Sequence, residues 1–535
     1  MVGLAPRAND PPPPGQVRTA DLLAALSLAS DLAIGLPAEH AVRSCYIGMH
    51  IADHLGLSSD QQVDVYYAEL LMDAGCTSWT SQLAGFILSD EIVARRELFF
   101  HRNARDPIEM FGWLKEHVAA GAAPGMRVQR GLDFAVHGRE FVREGFRNTC
   151  EVAQRFARRM GMSDGVQTAL LSVFEQWDGS GPGRQSGEAI PLPSRIVFAT
   201  SFYEALHRLG DRDAALRLAE RRRGSAFDPA VVAAFVALSG QPGFWEGLEE
   251  ESVWATVLAL EPESPYRFLR EEQLEDIALA FADFADLKSS YSAGHSRRVA
   301  DMAERVARRL LFPAHQVTAI RRAALMHDLG LVAVPSYTLE RPHDKLTQAE
   351  QERLRLHPYH AERILSRVPI LEPVVPLVAA HHERLDGQGY YRGLSSEQIP
   401  LGARVIAVAD RFDELSHAAP DHPALEPELT IERLRDDARG GLWPQAVQAL
   451  AHELGAGATA PAASRRTSHQ PAGLTDREVE ILRMLARGMS RRDVAQALVV
   501  SEHTVRHHLE HIYTKIGVGT RVAATLFAVE HDLLK

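Results

Sequence analysis

Seven side chains of metal-ligand type, His295, His327, Asp328, His357, His381, His382 and Asp410, fall within a stretch of 116 residues. Imidazole nitrogen combined with carboxylate oxygen suits iron, manganese or zinc and does not suit calcium. His327-Asp328 and His381-His382 are adjacent pairs, and an Asp can bridge two ions. Seven ligands with one bridging carboxylate are enough for a two-metal site with open positions. Metals about 3.5–4 Å apart clamp a phosphoryl group and generate hydroxide as nucleophile. A lone His is more often a satisfied core or surface residue, so it is the joint spacing that points to chemistry. His315, His343 and His360 lie in the same stretch and receive no role.

The elements that must carry these residues are helices. Residues 271–288 and 296–311 place apolar residues at three- and four-residue steps. Strand-like alternation is scarce, and Arg404–Ala409 runs directly into Asp410 and Phe412–Leu415, which favours helix. The expected fold is all-α. The landmarks also recur. His40 and His295 are each followed 32 residues later by a related tetrapeptide, Met72-Asp73-Ala-Gly75 and His327-Asp328-Leu-Gly330. Phe174-Glu-Gln-Trp-Asp178-Gly179 resembles His382-Glu-Arg-Leu-Asp386-Gly387, and Ile190–Arg195 resembles Ile399–Arg404. Two copies of one helical module are therefore expected, at 19–240 and 271–454, joined by a connector at 241–270.

Residues 1–18, with Pro11–Pro14, are expected to be a disordered tail, and 455–472, rich in Ala, Gly, Pro and Ser, a linker. The 535 residues suggest about three or four domains. A net charge of −12 excludes a general nucleic-acid coat, so any DNA contact must be local. Three scattered cysteines, Cys45, Cys76 and Cys150, fit a reducing cytosol. No apolar run reaches the roughly 18 residues of a membrane helix, and no secretory signal is visible. A cytoplasmic protein with no membrane partner is expected.

With His295, HDLG at His327–Gly330, HP at His357, HHERLDGQGY at His381–Tyr390, IP at Ile399 and VADRFDEL at Val408–Leu415, the second copy resembles the HD-GYP phosphodiesterases, a branch of the HD phosphohydrolase superfamily. The resemblance implies hydrolysis of cyclic di-GMP or a related phosphodiester, with His327 and Asp328 catalytic. It implies one metal on His295, His327, Asp328 and Asp410, and another on Asp328, His357, His381 and His382. Two divalent transition metals are expected, iron or manganese ahead of zinc. Three departures stand out. Leu331 replaces the lysine of the family's HDxGK, which removes a cation suited to a phosphate; Arg384 or Arg392 are the replacements in view. Tyr391 replaces the proline of GYP, and Tyr291 stands where many members carry a third-metal Glu. Residues 412–432 hold no Lys or Arg but contain Asp413, Glu414, Asp421, Glu426, Glu428 and Glu432, so they offer a dianionic dinucleotide no basic arm. Weak cyclic di-GMP turnover is expected.

The first copy keeps only His40 and Asp73 of the ligand set. Met72, Val173, Phe174 and Ser201 replace the others, and Cys150 lies near the place of His357. Too few ligands remain for a two-metal centre, and a packing, ligand-sensing or dimer-forming role is expected.

Residues 473–535 carry three helix starts. Thr475 with Glu478 is a capping box, Ser490 caps the second helix and Ser501 the third. Val505, Leu509, Ile512 and Ile516 form an apolar stripe opposite His503, Arg506, His507 and Glu510. Two short helices about a tight Val499-Val500-Ser501 turn make a helix-turn-helix whose later helix enters the major groove. The unit resembles the LuxR-type DNA-binding domain along its full length. That resemblance implies a four-helix domain binding DNA as a homodimer through its last helix. Arg506, His507 and Glu510 would face bases and Thr504 and Lys515 phosphates. Nine basic against eight acidic residues make a weak electrostatic footprint.

The sequence thus reads as a bacterial-type transcriptional regulator in which a metal-dependent phosphodiesterase-like module, taking a cyclic dinucleotide or another phosphodiester, is coupled to a DNA-binding head. The alternative is a transcription factor whose metal module senses a nucleotide without turnover.

Overall fold

The structure, a computed structural model, describes residues 16–98, 107–249, 253–262, 267–458 and 470–534. It is all-α: the only strands among the described residues are Gln16–Arg18 and Phe268–Arg270, a short antiparallel pair with Val17 opposite Leu269. The chain divides into two compact units, Met1–Ile277 and Ala278–Lys535.

In the first unit the helix Thr19–Ile34 is apolar on nearly all sides and is buried almost throughout. Its polar residues are satisfied locally: the Ser27 and Ser30 hydroxyls donate to the Ala24 and Leu26 carbonyls, at 2.8 and 3.3 Å. Gly35, at φ 75°, ends it in the left-handed conformation that glycine adopts without strain. The helices His40–His54, Ser59–Leu71 and Leu192–Leu209 complete this core, the second started by a capping box between Ser58 and Gln61. A smaller cluster of Trp79, Leu83, Trp113 and Phe134 lies under the 36-residue helix Pro124–Arg159.

Two expected boundaries shift here. Residues 16–18 belong to the strand pair, because pairing with 268–270 satisfies their backbone; the rest of the expected tail lies outside the described residues. The expected connector 241–270 is part of the first unit. Its helices Phe244–Glu249 and Val253–Ala259 bury Trp245, Leu248, Val253 and Val257. Glu261 accepts from Tyr67 Oη at 2.5 Å and pairs with buried Arg18.

The second unit is built on the helices His295–Arg309, Ala314–Met326, His357–Leu365, Leu401–Ser416 and Pro444–Ala458. Val299, Ala303 and Val306 on the first of these, and Val405 and Val408 on Leu401–Ser416, are fully buried. Pro444–Ala458 continues into the expected linker. Residues 459–469 lie outside the described residues, and Pro471–Gly473 is a short 3-10 turn. The C-terminal head has four helices, Asp476–Ala486, Arg491–Leu498, Glu502–Ile516 and Arg521–Glu530. Leu474, Leu482, Val494, Val505, Ile512 and Phe527 close its own core. Thr475, Ser490, Ser501 and Thr520 each cap one of these helices by accepting a backbone N–H.

Candidate metal centre and DNA-reading face

All seven ligand-type residues expected from the sequence converge. They form two groups, His295, His327 and Asp410, and Asp328, His357, His381 and His382, each with its ligand atoms within 4.8 Å of one another. His295 opens one helix, His327 follows the end of another, His357 opens a third, and Asp410 lies within Leu401–Ser416. Asp328 sits between the groups. Its Oδ2 is 3.5 and 3.4 Å from the Nε2 atoms of His295 and His327, and its Oδ1 is 3.4 and 3.9 Å from those of His357 and His381. Asp410 Oδ1 lies 3.2 Å from His295 Nε2 and 3.6 Å from His327 Nε2.

The approach of Asp328 to His357 needs Gly330. A Cβ there would stand 1.9 Å from the His357 carbonyl oxygen, so only glycine lets the turn after Asp328 approach the helix bearing His357. Gly389 does the same for the other pair, where a Cβ would meet the His382 carbonyl at 2.6 Å.

Tautomers are set by the partners. The Nδ1 atoms of His327, His357 and His381 lie 2.7, 2.8 and 2.6 Å from the carbonyls of Ala324, Leu354 and Val378. A carbonyl only accepts, so each Nδ1 carries a proton and Nε2 is the nitrogen turned inward as the ligand-type atom. His357 Nε2 and His381 Nε2 are 3.1 Å apart. Two lone pairs that close repel unless a cation lies beside them. Among the described residues, buried His327 Nε2 has no hydrogen-bond partner. Nitrogen and carboxylate donors so arranged fit divalent transition metals.

The electrostatics divide along the same line. Burial pushes His357 down, and it pushes His381 and His382 down further with help from their imidazole neighbours, His382 to about 3. Burial also opposes charge on His327, but the Asp328 and Asp410 carboxylates outweigh it and hold the ring up at about 9. One end of the site thus pairs carboxylates with imidazoles they hold protonated, and the other is neutral imidazole.

Three residues with no site assignment from sequence support this centre. Asp413 accepts from His295 Nδ1 at 2.8 Å and from Arg298 Nε at 2.7 Å. It is therefore not the surplus negative charge expected of 412–432; it orients the His295 ring. Its position one helical turn after Asp410 was the available signal. Asp286 accepts from the Ser296 backbone at 3.1 Å and fixes the start of the same helix. Tyr390 stacks on His382 with ring centroids 4.7 Å apart. Arg384 and Arg392, expected as substitute cations, are engaged with Asp386 and Glu362.

The first unit has similar contacts around His40, one of the two ligand-type residues it keeps with Asp73. His40 Nδ1 pairs with Glu204, as His295 does with Asp413, and Arg43 Nε donates to Glu204 at 3.2 Å. Asp31 accepts from the His40 backbone at 2.9 Å, as Asp286 does from Ser296. A Cβ on Gly75 would stand 2.1 Å from the Thr149 carbonyl, just as one on Gly330 would meet His357. Thr149, rather than Cys150, therefore occupies the place of His357. Where the second unit has Ala324 and Ala409, the first has Glu69 and Thr200, joined at 2.6 Å. Burial holds the Glu69 carboxyl up at about 8.

On the head, His503, Arg506, His507 and Glu510 are exposed along Glu502–Ile516, opposite buried Val505, Leu509 and Ile512. Arg506 Nε is 3.7 Å from Glu510 Oε1, and Thr504 Oγ1 bonds the Ser501 cap at 2.8 Å. Lys515, expected near phosphate, makes an internal contact in the free head. Its Nζ lies 2.6 Å from Glu478, the carboxylate of the first capping box, so it braces the head internally.

An all-α HD-type module with paired His/Asp groups, followed by a helix-turn-helix head, defines the class. Residues 280–441 match the HD domain family, and residues 472–528 match the bacterial regulatory proteins of the luxR family. The chain is 31% identical over 435 residues to the 3'3'-cGAMP-specific phosphodiesterase 3 of Vibrio cholerae serotype O1, spanning 81% of this chain and 94% of that one. The crystal structure of a cyclic GMP-AMP specific phosphodiesterase of V. cholerae, V-cGAP3, aligns with a TM-score of 0.57 at 29% identity, over 82% of this chain and 98% of that chain. The cyclic di-GMP phosphodiesterase response regulator RpfG of Xanthomonas campestris pv. campestris is 33% identical over 206 residues, 38% of this chain and 54% of that one. The chain belongs to the HD-GYP phosphodiesterase family, here with a C-terminal LuxR-type domain. No described helix is long and apolar enough to cross a membrane.

Proposed function

We propose that the second unit is a two-metal phosphodiesterase module for a cyclic dinucleotide or related phosphodiester, coupled to a dimeric DNA-binding head that regulates transcription. The observation that carries this reading is the placement of Asp328, whose two oxygens turn to different ligand groups. His295, His327, Asp328 and Asp410 would hold one ion, and Asp328, His357, His381 and His382 the other. Such ions, iron or manganese ahead of zinc, supply Lewis acidity toward a phosphoryl oxygen and a hydroxide nucleophile near neutral pH.

The chain's own residues do the remaining work. Asp413 and the carbonyls of Ala324, Leu354 and Val378 hold four imidazoles in the tautomer that presents Nε2. Tyr390 covers one face of His382. His327 and Asp328 are the proposed catalytic pair. The first unit is read as a degenerate copy of the same module: it repeats the supporting contacts of His40 but binds no catalytic metal. His503, Arg506, His507 and Glu510 form the proposed base-reading face, with Thr504 toward phosphate.

A second reading, a metal-dependent nucleotide sensor without turnover, is favoured by Leu331 in place of the motif lysine. Metal analysis of the full chain with and without Asp328→Ala, together with a turnover screen of cyclic dinucleotides, separates the two. Loss of both ions in the variant, with turnover by the wild type, is the expected result. Full occupancy in the variant overturns the bridged arrangement; metals without turnover leave the sensor.

A further inference from the structure

The second unit has an apolar residue, Leu331, where a phosphate-binding cation is expected, and the arginines around the centre are almost all engaged. Arg384 is tied to Asp386, Arg392 to Glu362, Arg411 to Glu414 and Asp437, and Arg298 to Asp413. Arg355 differs. It is exposed, lies two residues before His357, and has no carboxylate partner among the described residues. Its guanidinium carbon stands 5.9 Å over the ring of Tyr390, the ring that stacks on His382. An arginine resting on an aromatic face keeps its in-plane N–H donors free for an oxyanion, because the ring takes only the flat side of the cation.

Position decides which oxyanion this is. His382, Tyr390 and Arg355 form a succession leading out from the ligand groups, with steps of 4.7 and 5.9 Å. Tyr390 contacts both Arg355 and His382, so the guanidinium is linked to the ligand groups through one ring. We propose that Arg355 binds a second phosphate of the substrate, so that the site selects phosphodiesters carrying another phosphate one nucleotide from the scissile one, as cyclic dinucleotides do. This inference rests on the phosphodiester reading and names the part of the substrate that the metal groups do not touch. A cation at this position also accounts for how a dianionic ligand is held although residues 412–432 contain no Lys or Arg.

The test uses the full, metal-loaded chain with two substrates, a cyclic dinucleotide and the single-phosphate diester bis(p-nitrophenyl) phosphate. Arg355→Ala should raise KM for the dinucleotide about tenfold, the weight of a charge-assisted hydrogen bond. It should change kcat little and leave both constants for the single-phosphate diester within about twofold. Arg355→Lys should recover part of the loss. Equal effects on both substrates, or none on either, overturn the inference. If the wild type turns over neither substrate, the phosphodiesterase reading fails, and equilibrium binding of the dinucleotide decides the role of Arg355. There, about tenfold weaker binding by Arg355→Ala upholds it, and unchanged or absent binding overturns it.

Discussion

Asp413 shows how one side chain changes meaning between sequence and structure. Counted with its neighbours it is a negative charge that repels a dinucleotide. In the fold it is buried, accepts from His295 and Arg298, and is held down at about 2: burial would raise it, but the hydrogen bond from His295 prevails. A carboxylate that fixes a ligating imidazole typically contributes 10–100-fold in metal affinity. Asp413→Asn should therefore weaken metal binding about 10–100-fold in a competition titration while the helix content is retained. Unchanged affinity would show that His295 needs no such partner.

At the scale of elements, the centre of the first unit is held by protons. Burial raises Asp31 and Glu69 to about 8, and His40 is also raised to about 8 because Glu204 outweighs burial. All three therefore bind protons more tightly folded than unfolded. The two carboxyls contribute stability that declines as pH rises from their ordinary range toward about 8. The His40 contribution is complete below about 6.5 and is lost as pH rises through about 8. Calorimetry of the full chain should show the first unit melting lower at pH 9 than at pH 6, with Glu69→Gln giving a shallower dependence. Equal slopes in the two proteins would remove Glu69 from this account.

The head offers a second element-scale prediction. Val499 lies in the turn between Arg491–Leu498 and Glu502–Ile516 with φ 54°, and it is 90% exposed. A β-branched residue is strained in that left-handed conformation, and here it packs against nothing that would offset the cost. Val499→Gly should stabilise the head by about 0.5–1 kcal/mol, read from its unfolding transition. A loss of stability would mean that the strain is absorbed elsewhere.

For the whole molecule, the question is how a chain of net charge −12 reaches DNA. The head has nearly balanced charge, and Lys515 is engaged by Glu478, so non-specific attraction is weak and fades as salt rises. Recognition must then rest on the exposed face of Glu502–Ile516. Selection from a random pool should enrich a two-fold-related site. Arg506→Ala should cost about 1–3 kcal/mol and relax one position if it reads a guanine; a uniform loss with a salt slope lower by about 1 assigns Arg506 to phosphate. No enrichment by a folded head would leave a protein-binding role.

The sequence by itself determined the features that local periodicity and residue type dictate: helices, the caps at Thr475, Ser490 and Ser501, the seven ligand-type residues, and the loss of such residues at Met72 and Ser201. These are legible because a helix repeats every 3.6 residues and metal chemistry restricts its donors to a few side chains. Only the tertiary structure decided the rest. The place of Asp328 between two groups was implied by the family resemblance alone, and its geometry exists only because helices far apart in sequence pack around Gly330. Asp413 lies 118 residues from the His295 it orients, and Glu478 lies 37 from the Lys515 it engages. Thr149 replaced Cys150 for the same reason, since a one-residue offset leaves no mark on composition or spacing. Partners distant along the chain are chosen by packing, and no local pattern encodes a distance between them.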